Sequence, residues 1–149
     1  MIQVKDVVKS FDGNVVLNHV SATFEDGKVN MIIGQSGSGK TVLMKSMIGL
    51  HQVDEGQIVF DTSGGKQQDL ASMTEKEVRL LHREVGMLFQ GSALFDSMSV
   101  QENVMYPLEM FSDMSKSEMV ARARFCLERV NMPERSFGLM PSEISGGMQ

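Results

Sequence analysis

Apolar and polar positions along the first two dozen residues follow a strand pattern. Ile2, Val4, Val7, Val8 and Phe11 are separated by polar residues, then Asp12-Gly13-Asn14 forms a turn signal before Val15–Leu17. Val20, Ala22 and Phe24 alternate next, and Glu25-Asp26-Gly27-Lys28 supplies another turn. This predicts an antiparallel N-terminal sheet. Val29–Ile33 is a short continuous apolar run closed by Gly34, the pattern of a buried parallel strand. Beyond Gly34, the residues Val42, Leu43, Met44, Met47, Ile48 and Leu50 predict a largely buried helix. Gln57–Phe60 and Val85–Phe89 read as further strands.

Three helix starts carry the capping-box spacing of a hydroxyl residue followed three positions on by glutamate: Thr74/Glu77, Ser99/Glu102 and Ser115/Glu118. The first opens a short helix to about Leu81, and Pro107 should end or bend the second. In the third, Met119, Ala123, Cys126, Leu127 and Val130 share a stripe, and Glu118–Arg122 and Arg124–Glu128 have i,i+4 spacing on the wet side. A sheet-rich first part and a helical second part predict two subdomains of one α/β unit.

Composition narrows the class. The chain has 149 residues with a formal net charge of -5, a balance that disfavours nonspecific nucleic-acid binding. Cys126 is the single cysteine, so no intrachain disulfide forms, and on its helical stripe it reads as a core residue. No apolar run reaches the roughly 18–20 residues that span a bilayer, and the start is not a signal peptide. The expected setting is cytosolic and reducing. Methionine is abundant at 14 residues and tryptophan is absent, which suits adaptable core filling. His19, His51 and His82 have no metal-ligand spacing, with His51 in a loop and the other two on the surface or half-buried.

The chemistry-bearing segment is Gly34-Gln35-Ser36-Gly37-Ser38-Gly39-Lys40-Thr41, a full match to G-x-x-x-x-G-K-[ST]. A loop that wraps a polyphosphate must turn its backbone N–H groups inward, and glycines allow that turn at low steric cost. The following helix adds its positive end. Lys40 would set its ammonium on the β/γ-phosphates and Thr41 would give its hydroxyl to Mg²⁺. A random chain this long matches the pattern only about once in two hundred cases. The loop alone says phosphate binding and leaves kinases, GTPases, recombination enzymes and transport ATPases open.

Two later segments, in order and spacing with this loop, discriminate among these. One is Val85–Gln90, a strand ending in glutamine; the other is Pro141-Ser142-Glu143-Ile144-Ser145-Gly146-Gly147-Met148-Gln149. With them the chain resembles, over essentially its whole length, the nucleotide-binding domain of ABC transporters. Met87–Val100, Glu102–Val104 and Pro107-Leu108, with Met140–Met148, look most like the ATPase subunit of Mla-type intermembrane phospholipid transporters. Met148 stands where the general Leu-Ser-Gly-Gly-Gln signature has glutamine, and Ile144 replaces its leucine.

The resemblance implies an α/β fold: a P-loop NTPase (RecA-like) core with an N-terminal antiparallel β subdomain and a helical subdomain, the chain being truncated. The expected divisions are an antiparallel β subdomain at 1–28, a P-loop core at 29–90 and a helical subdomain at 91–149. It implies ATP and Mg²⁺ as cofactors. The nucleotide would be held by Phe11, stacked on adenine, by Gly34, Gln35, Ser36, Gly37, Ser38, Gly39, Lys40, Thr41 and Val42, and by Ser145, Gly146 and Gly147. Lys40 and Gln90 would be the catalytic pair, with Thr41 and Gln90 at the metal. Ser145–Gly147 would bind the γ-phosphate held by a second subunit's loop, so a homodimer is implied. A membrane permease would dock on the region after Gln90, through about Pro107, where Met98, Met105 and Met110 suit an adaptable contact.

The function so implied is an ATPase subunit powering phospholipid or related lipid transfer, on the cytoplasmic side of a bacterial inner membrane. A soluble ABC-type ATPase of translation or DNA repair and a non-hydrolysing nucleotide-binding module remain as alternatives. Family members also carry an apolar strand ending in Asp-Glu and a switch histidine. Residues 1–149 contain no such strand, so the expectation is an N-terminal fragment, not hydrolytically competent and marginally stable alone.

Overall fold

β1 (Ile2–Phe11) and β2 (Asn14–Phe24) form the expected hairpin across Asp12-Gly13, with Phe11 opposite Asn14 and Ile2 opposite Phe24. A strict alternation would send Val4 and Val7 to opposite faces, yet both are buried. The reason is a bulge. Asp6 adopts φ 52° and His19, across the hairpin, adopts φ 51°, and the pairing shifts register between Val4 and Val7. The Asp6 N–H donates to Ser21 Oγ at 2.9 Å, and His19 Nδ1 lies 3.0 Å from Asp6 Oδ1.

Residues 1–61, 67–89, 91 and 93–149 are described by the structure, a computed structural model. β3 (Glu55–Asp61) lies antiparallel on the other side of β1, and β4 (Gln67–Asp69) pairs with β3, giving the order β2-β1-β3-β4. Gly56 (φ 84°) passes the bulge so closely that a Cβ there would stand 2.4 Å from the Asp6 carbonyl oxygen. Only glycine fits that crossing.

α1 (Lys40–Met47) covers the sheet, burying Leu43 and Met47 with Val4, Val7, Leu17, Ile58 and Phe60. It stops before the expected Leu50. Gly49 (φ 75°) donates to the Ser46 carbonyl and Leu50 to the Lys45 carbonyl, a Schellman ending. α2 (Glu75–Glu84) starts at its predicted box, with Glu77 N–H on Thr74 Oγ1 and Thr74 N–H on the Glu77 carboxylate, and runs one turn beyond Leu81.

Two expected strands do not form. Val29–Ile33 has no strand pairing, and Val29, Met31 and Ile33 are 94%, 75% and 84% exposed. Only Ile32 packs onto the core. A groove of about 490 Å³ lies here, lined in part by Val20, Ala22, Phe24, Met31 and Leu43. A parallel strand needs ladder partners at its flanks, and among the described residues none lies beside this run. Val85–Phe89 likewise forms no strand with the described residues, and Leu88 is exposed.

The chain divides into two units, Met1–Gly86 and Met87–Gln149. In the second, α3 (Val100–Phe111) and α4 (Lys116–Arg129) both start at their predicted capping boxes. Pro107 does not end α3, which continues to Phe111; a proline costs one helical hydrogen bond, and its neighbours hold the helix. Asn103 fixes the approach to α3. Its side chain accepts from Phe95 N–H and donates to the carbonyls of Phe95, Met98 and Ser99. Val100 and Gln101 N–H groups donate to the Leu139 and Phe137 carbonyls, so the chain's last segment covers the start of α3. Val100, Leu127 and Phe137 form the core, with Ile144 packed against it.

The stripe on α4 is narrower than its pattern. Ala123 and Leu127 are buried, Cys126 is half-buried, and Val130 is 70% exposed at the C-cap. Among the described residues, neither i,i+4 ion pair forms, and both arginines take other partners. Arg124 pairs with Glu134 and lies over the Phe137 ring, while Arg122 lies over Phe125. Of the three methionines named above, Met105 belongs to the core and Met110 is exposed.

Candidate functional site: a glycine-rich loop at a helix start

Gly34–Ser38 is an exposed loop leading into α1. Gly37 and Gly39 adopt φ 81° and 86°, the left-handed values that let the chain coil back on itself. Gly39 is buried against β2, and a Cβ on it would lie 2.9 Å from the Val16 carbonyl oxygen and 3.0 Å from Leu17 Cδ2. A Cβ on Gly34 would stand 2.7 Å from Ser38 Oγ. Sheet packing therefore fixes the loop's downstream end while its upstream part faces solvent.

Among the described residues, hydrogen bonding leaves the loop amides other than Ser38 available. Ser38 N–H donates to the Gln35 carbonyl at 3.3 Å, and Leu43 N–H closes the first helical bond onto Gly39. No side chain caps α1 at Gly39, and no acidic residue lies in its first turn. The helix thus presents uncompensated N–H groups and the positive end of its dipole to the loop's open side. The Lys40 ammonium curls back over the loop and donates to the carbonyls of Gly34 at 2.9 Å and Gln35 at 2.6 Å. These contacts keep a full positive charge above the free amides. The exposed Thr41 hydroxyl and half-buried Val42 follow on the first turn.

Phe11 stands at the end of β1, 40% exposed. Its hairpin partner Asn14 is two residues from Val16, the residue that abuts Gly39. At about 3.3 Å per residue, hairpin register sets Phe11 roughly 7 Å along the strand from the loop's anchor. His51 meets the Phe11 ring edge-on, with centroids 5.4 Å apart, and Lys9 Nζ lies 5.3 Å from its centre.

Ser145, Gly146 and Gly147 belong to the second unit and are exposed. Met148 and Gln149 N–H groups both donate to the Ser145 carbonyl, closing a turn, and nothing lies within 4 Å of a Cβ placed on either glycine. Buried Pro141 and core-packed Ile144 tether the segment, and Gln149 Nε2 donates to the Pro141 carbonyl. Gln90 lies outside the described residues. Among those described, no group of three acidic, histidine or cysteine residues could hold a metal, and no helix is long and apolar enough to cross a membrane. His82 Nε2 lies 2.6 Å from the Ile48 carbonyl, which gives it a structural partner.

Sequence patterns missed Lys9 and Asp54, which flank Phe11. A lysine two residues before an aromatic and an acid in a turn carry no signal until the sheet brings them together.

The loop, the helix start and the fold define a class. The ABC transporter family model matches residues 17–149, and the chain belongs to that family. It is 36% identical over 149 residues to the methionine import ATP-binding protein MetN of Clostridium acetobutylicum, covering 100% of this chain and 44% of the relative. It is 33% identical to the probable ribonucleotide transport ATP-binding protein mkl of Mycobacterium bovis, covering 99% of this chain and 40% of that one. The chain thus spans about two fifths of the length of these relatives. Among solved structures, a dimeric post-hydrolysis state of the ATP-binding cassette MJ0796 bound to ADP and Pi superimposes with a TM-score of 0.84 at 27% identity, over 99% of this chain and 65% of that one. The fold is that of a cassette of this kind.

Proposed function

We propose that the chain binds Mg²⁺-ATP at Gly34–Val42 as the ATP-binding part of an ABC transporter. The observation that carries this reading is the combination of an exposed left-handed glycine loop, unpaired N–H groups at the start of α1 and the Lys40 ammonium poised above them. The loop can coil into a polyphosphate cradle because Gly37 and Gly39 hold left-handed φ values and Gly39 leaves room for Val16. Lys40 would exchange its two carbonyl partners for phosphate oxygens, and the exposed Thr41 hydroxyl would be the ligand offered to a bound metal. Bound Mg²⁺ would neutralise charge on the phosphates. Phe11 would stack on the base, and Gln90, which lies outside the described residues, would serve the metal and the attacking water.

Ser145–Gly147 serve the second nucleotide of a homodimer. Their exposure on a tethered segment and the free space around both glycines support that role, as does the dimeric state of the MJ0796 cassette. The permease docks after Gln90, and the assembly sits at the cytoplasmic face of a bacterial inner membrane. Hydrolysis belongs to the whole protein. Phospholipid as cargo is carried by the resemblance of Met87–Val104 and Met140–Met148 alone; MetN and mkl bear methionine and ribonucleotide in their names.

Calorimetric titration of the chain with Mg²⁺-ATP tests the site. Lys40→Ala should weaken binding at least about tenfold, the worth of a charge-assisted contact to phosphate. Saturable binding that survives unchanged in this variant would refute the assignment. For the cargo, co-purification with a permease and a lipid-transfer assay on that complex decide.

A further inference from the structure

On its β3 side, the end of β1 is held by a side chain that the loop pattern does not involve. Asp54, in the turn before β3, accepts from Lys9 Nζ at 2.7 Å through Oδ1 and from the Ser10 N–H at 2.6 Å through Oδ2. Its own N–H donates to the Val8 carbonyl at 2.9 Å. Three consecutive residues of β1 are thus bonded to one aspartate. They gain from it, because here β1 leaves the β3 ladder at Val8/Glu55 and keeps only its pairing with β2, whose register shifts on both sides of Lys9. Without Asp54, the stretch that carries Phe11 would be held on its β2 side alone.

The same carboxylate places a charge. Lys9, with its side chain only 15% exposed, is pulled to Asp54 and so held over the Phe11 ring, while His51 closes the ring edge-on. A cation this close to an aromatic ring is attracted to its face, so Lys9 restrains the Phe11 ring and occupies one side of it. The 40% of Phe11 that stays exposed is what remains for a ligand. The hydrogen bonds from Lys9 and Ser10 also hold the Asp54 carboxyl below the ordinary aspartate range, so the anchor stays charged at neutral pH.

We infer that Asp54, acting through Lys9 and Ser10, is a positioning residue that sets the Phe11 ring to stack a nucleobase. This rests on the nucleotide site proposed above and adds to it a determinant of base recognition separate from the phosphate cradle. Asp54 touches no part of the nucleotide; its contribution is transmitted by the orientation of Phe11.

The test compares two ligands on the 149-residue chain by calorimetry: Mg²⁺-ATP, which carries a base, and inorganic tripolyphosphate with Mg²⁺, which does not. Asp54→Ala should weaken ATP about fivefold, part of what an aromatic–base stack is worth, and leave tripolyphosphate unchanged. In a Phe11→Ala background, Asp54→Ala should cost ATP nothing further. Lys9→Met keeps the Asp54–Ser10 bond and should show the same base-dependent loss, which guards against misfolding of the first variant. Equal losses for both ligands, a loss that persists without Phe11, or unaltered ATP binding would each overturn the inference. If the unsubstituted chain binds neither ligand, the phosphate site itself falls; if it binds both and Phe11→Ala is silent, only the base-stacking role falls, and this inference with it.

Discussion

A Cβ on Gly39 would lie 2.9 Å from the carbonyl oxygen of Val16. This approach joins the phosphate loop to the hairpin, and it coincides with φ 86° at Gly39. Conformation and space both demand glycine. Gly39→Ala should therefore destabilise the chain by about 2–4 kcal/mol, the sum of left-handed strain and backbone overlap. Gly37 has φ 81° but nothing within 4 Å of a Cβ, so Gly37→Ala should cost only about 1 kcal/mol. Urea unfolding of the two variants checks the contrast; equal costs would mean that packing on Val16 is immaterial.

Ser46 in α1 is fully buried, and its hydroxyl has no hydrogen-bond partner among the described residues. A buried hydroxyl without a partner is a net cost. Ser46→Ala should raise stability by about 0.5–1 kcal/mol, read as a higher urea midpoint at unchanged slope.

Glu77, Glu102 and Glu118 each accept from the N–H and hydroxyl of the cap residue three positions earlier, and these bonds lower all three carboxyl pKa values from the ordinary 4.5. A carboxylate with a lowered folded-state pKa contributes stability that is complete above its ordinary pKa and is lost as pH falls through the lowered one. Stability should therefore drop from about pH 5 downward, and the Glu77→Gln, Glu102→Gln, Glu118→Gln triple variant should lose less over that range. Urea unfolding at stepped pH measures it, and parallel acid limbs for the two proteins would contradict the account.

Val29, Met31 and Ile33 expose nearly their full surfaces beside the groove under Val20 and Phe24. Contiguous apolar surface of this kind drives association. The chain should self-associate with rising concentration, and Met31→Ser with Ile33→Thr should reduce this without lowering its unfolding midpoint. Light scattering and urea unfolding together test the pair of outcomes.

Local chemistry was legible in the residues. The hairpin, the three capping boxes and the glycine loop depend on contacts a few positions apart, so the order of residue types specifies them. Apolar runs were legible only as apolar. Whether Val29–Ile33 becomes a strand depends on neighbours distant in sequence, and its pattern carries no record of whether those neighbours are at hand. The same holds for Arg124, whose near partner Glu128 fits the spacing but whose actual partner is Glu134.

The sequence by itself determined where a phosphate can be received, because a backbone able to coil at Gly37 and Gly39 and a lysine at the following helix start are written into adjacent positions. Only the tertiary structure decided what steadies that receiver. Val16 abuts Gly39, and Asp54 reaches back 45 residues to Lys9, because the β1 bulge and the antiparallel register of β3 bring those atoms together. Such meetings are set by how strands pair, and no local pattern encodes them.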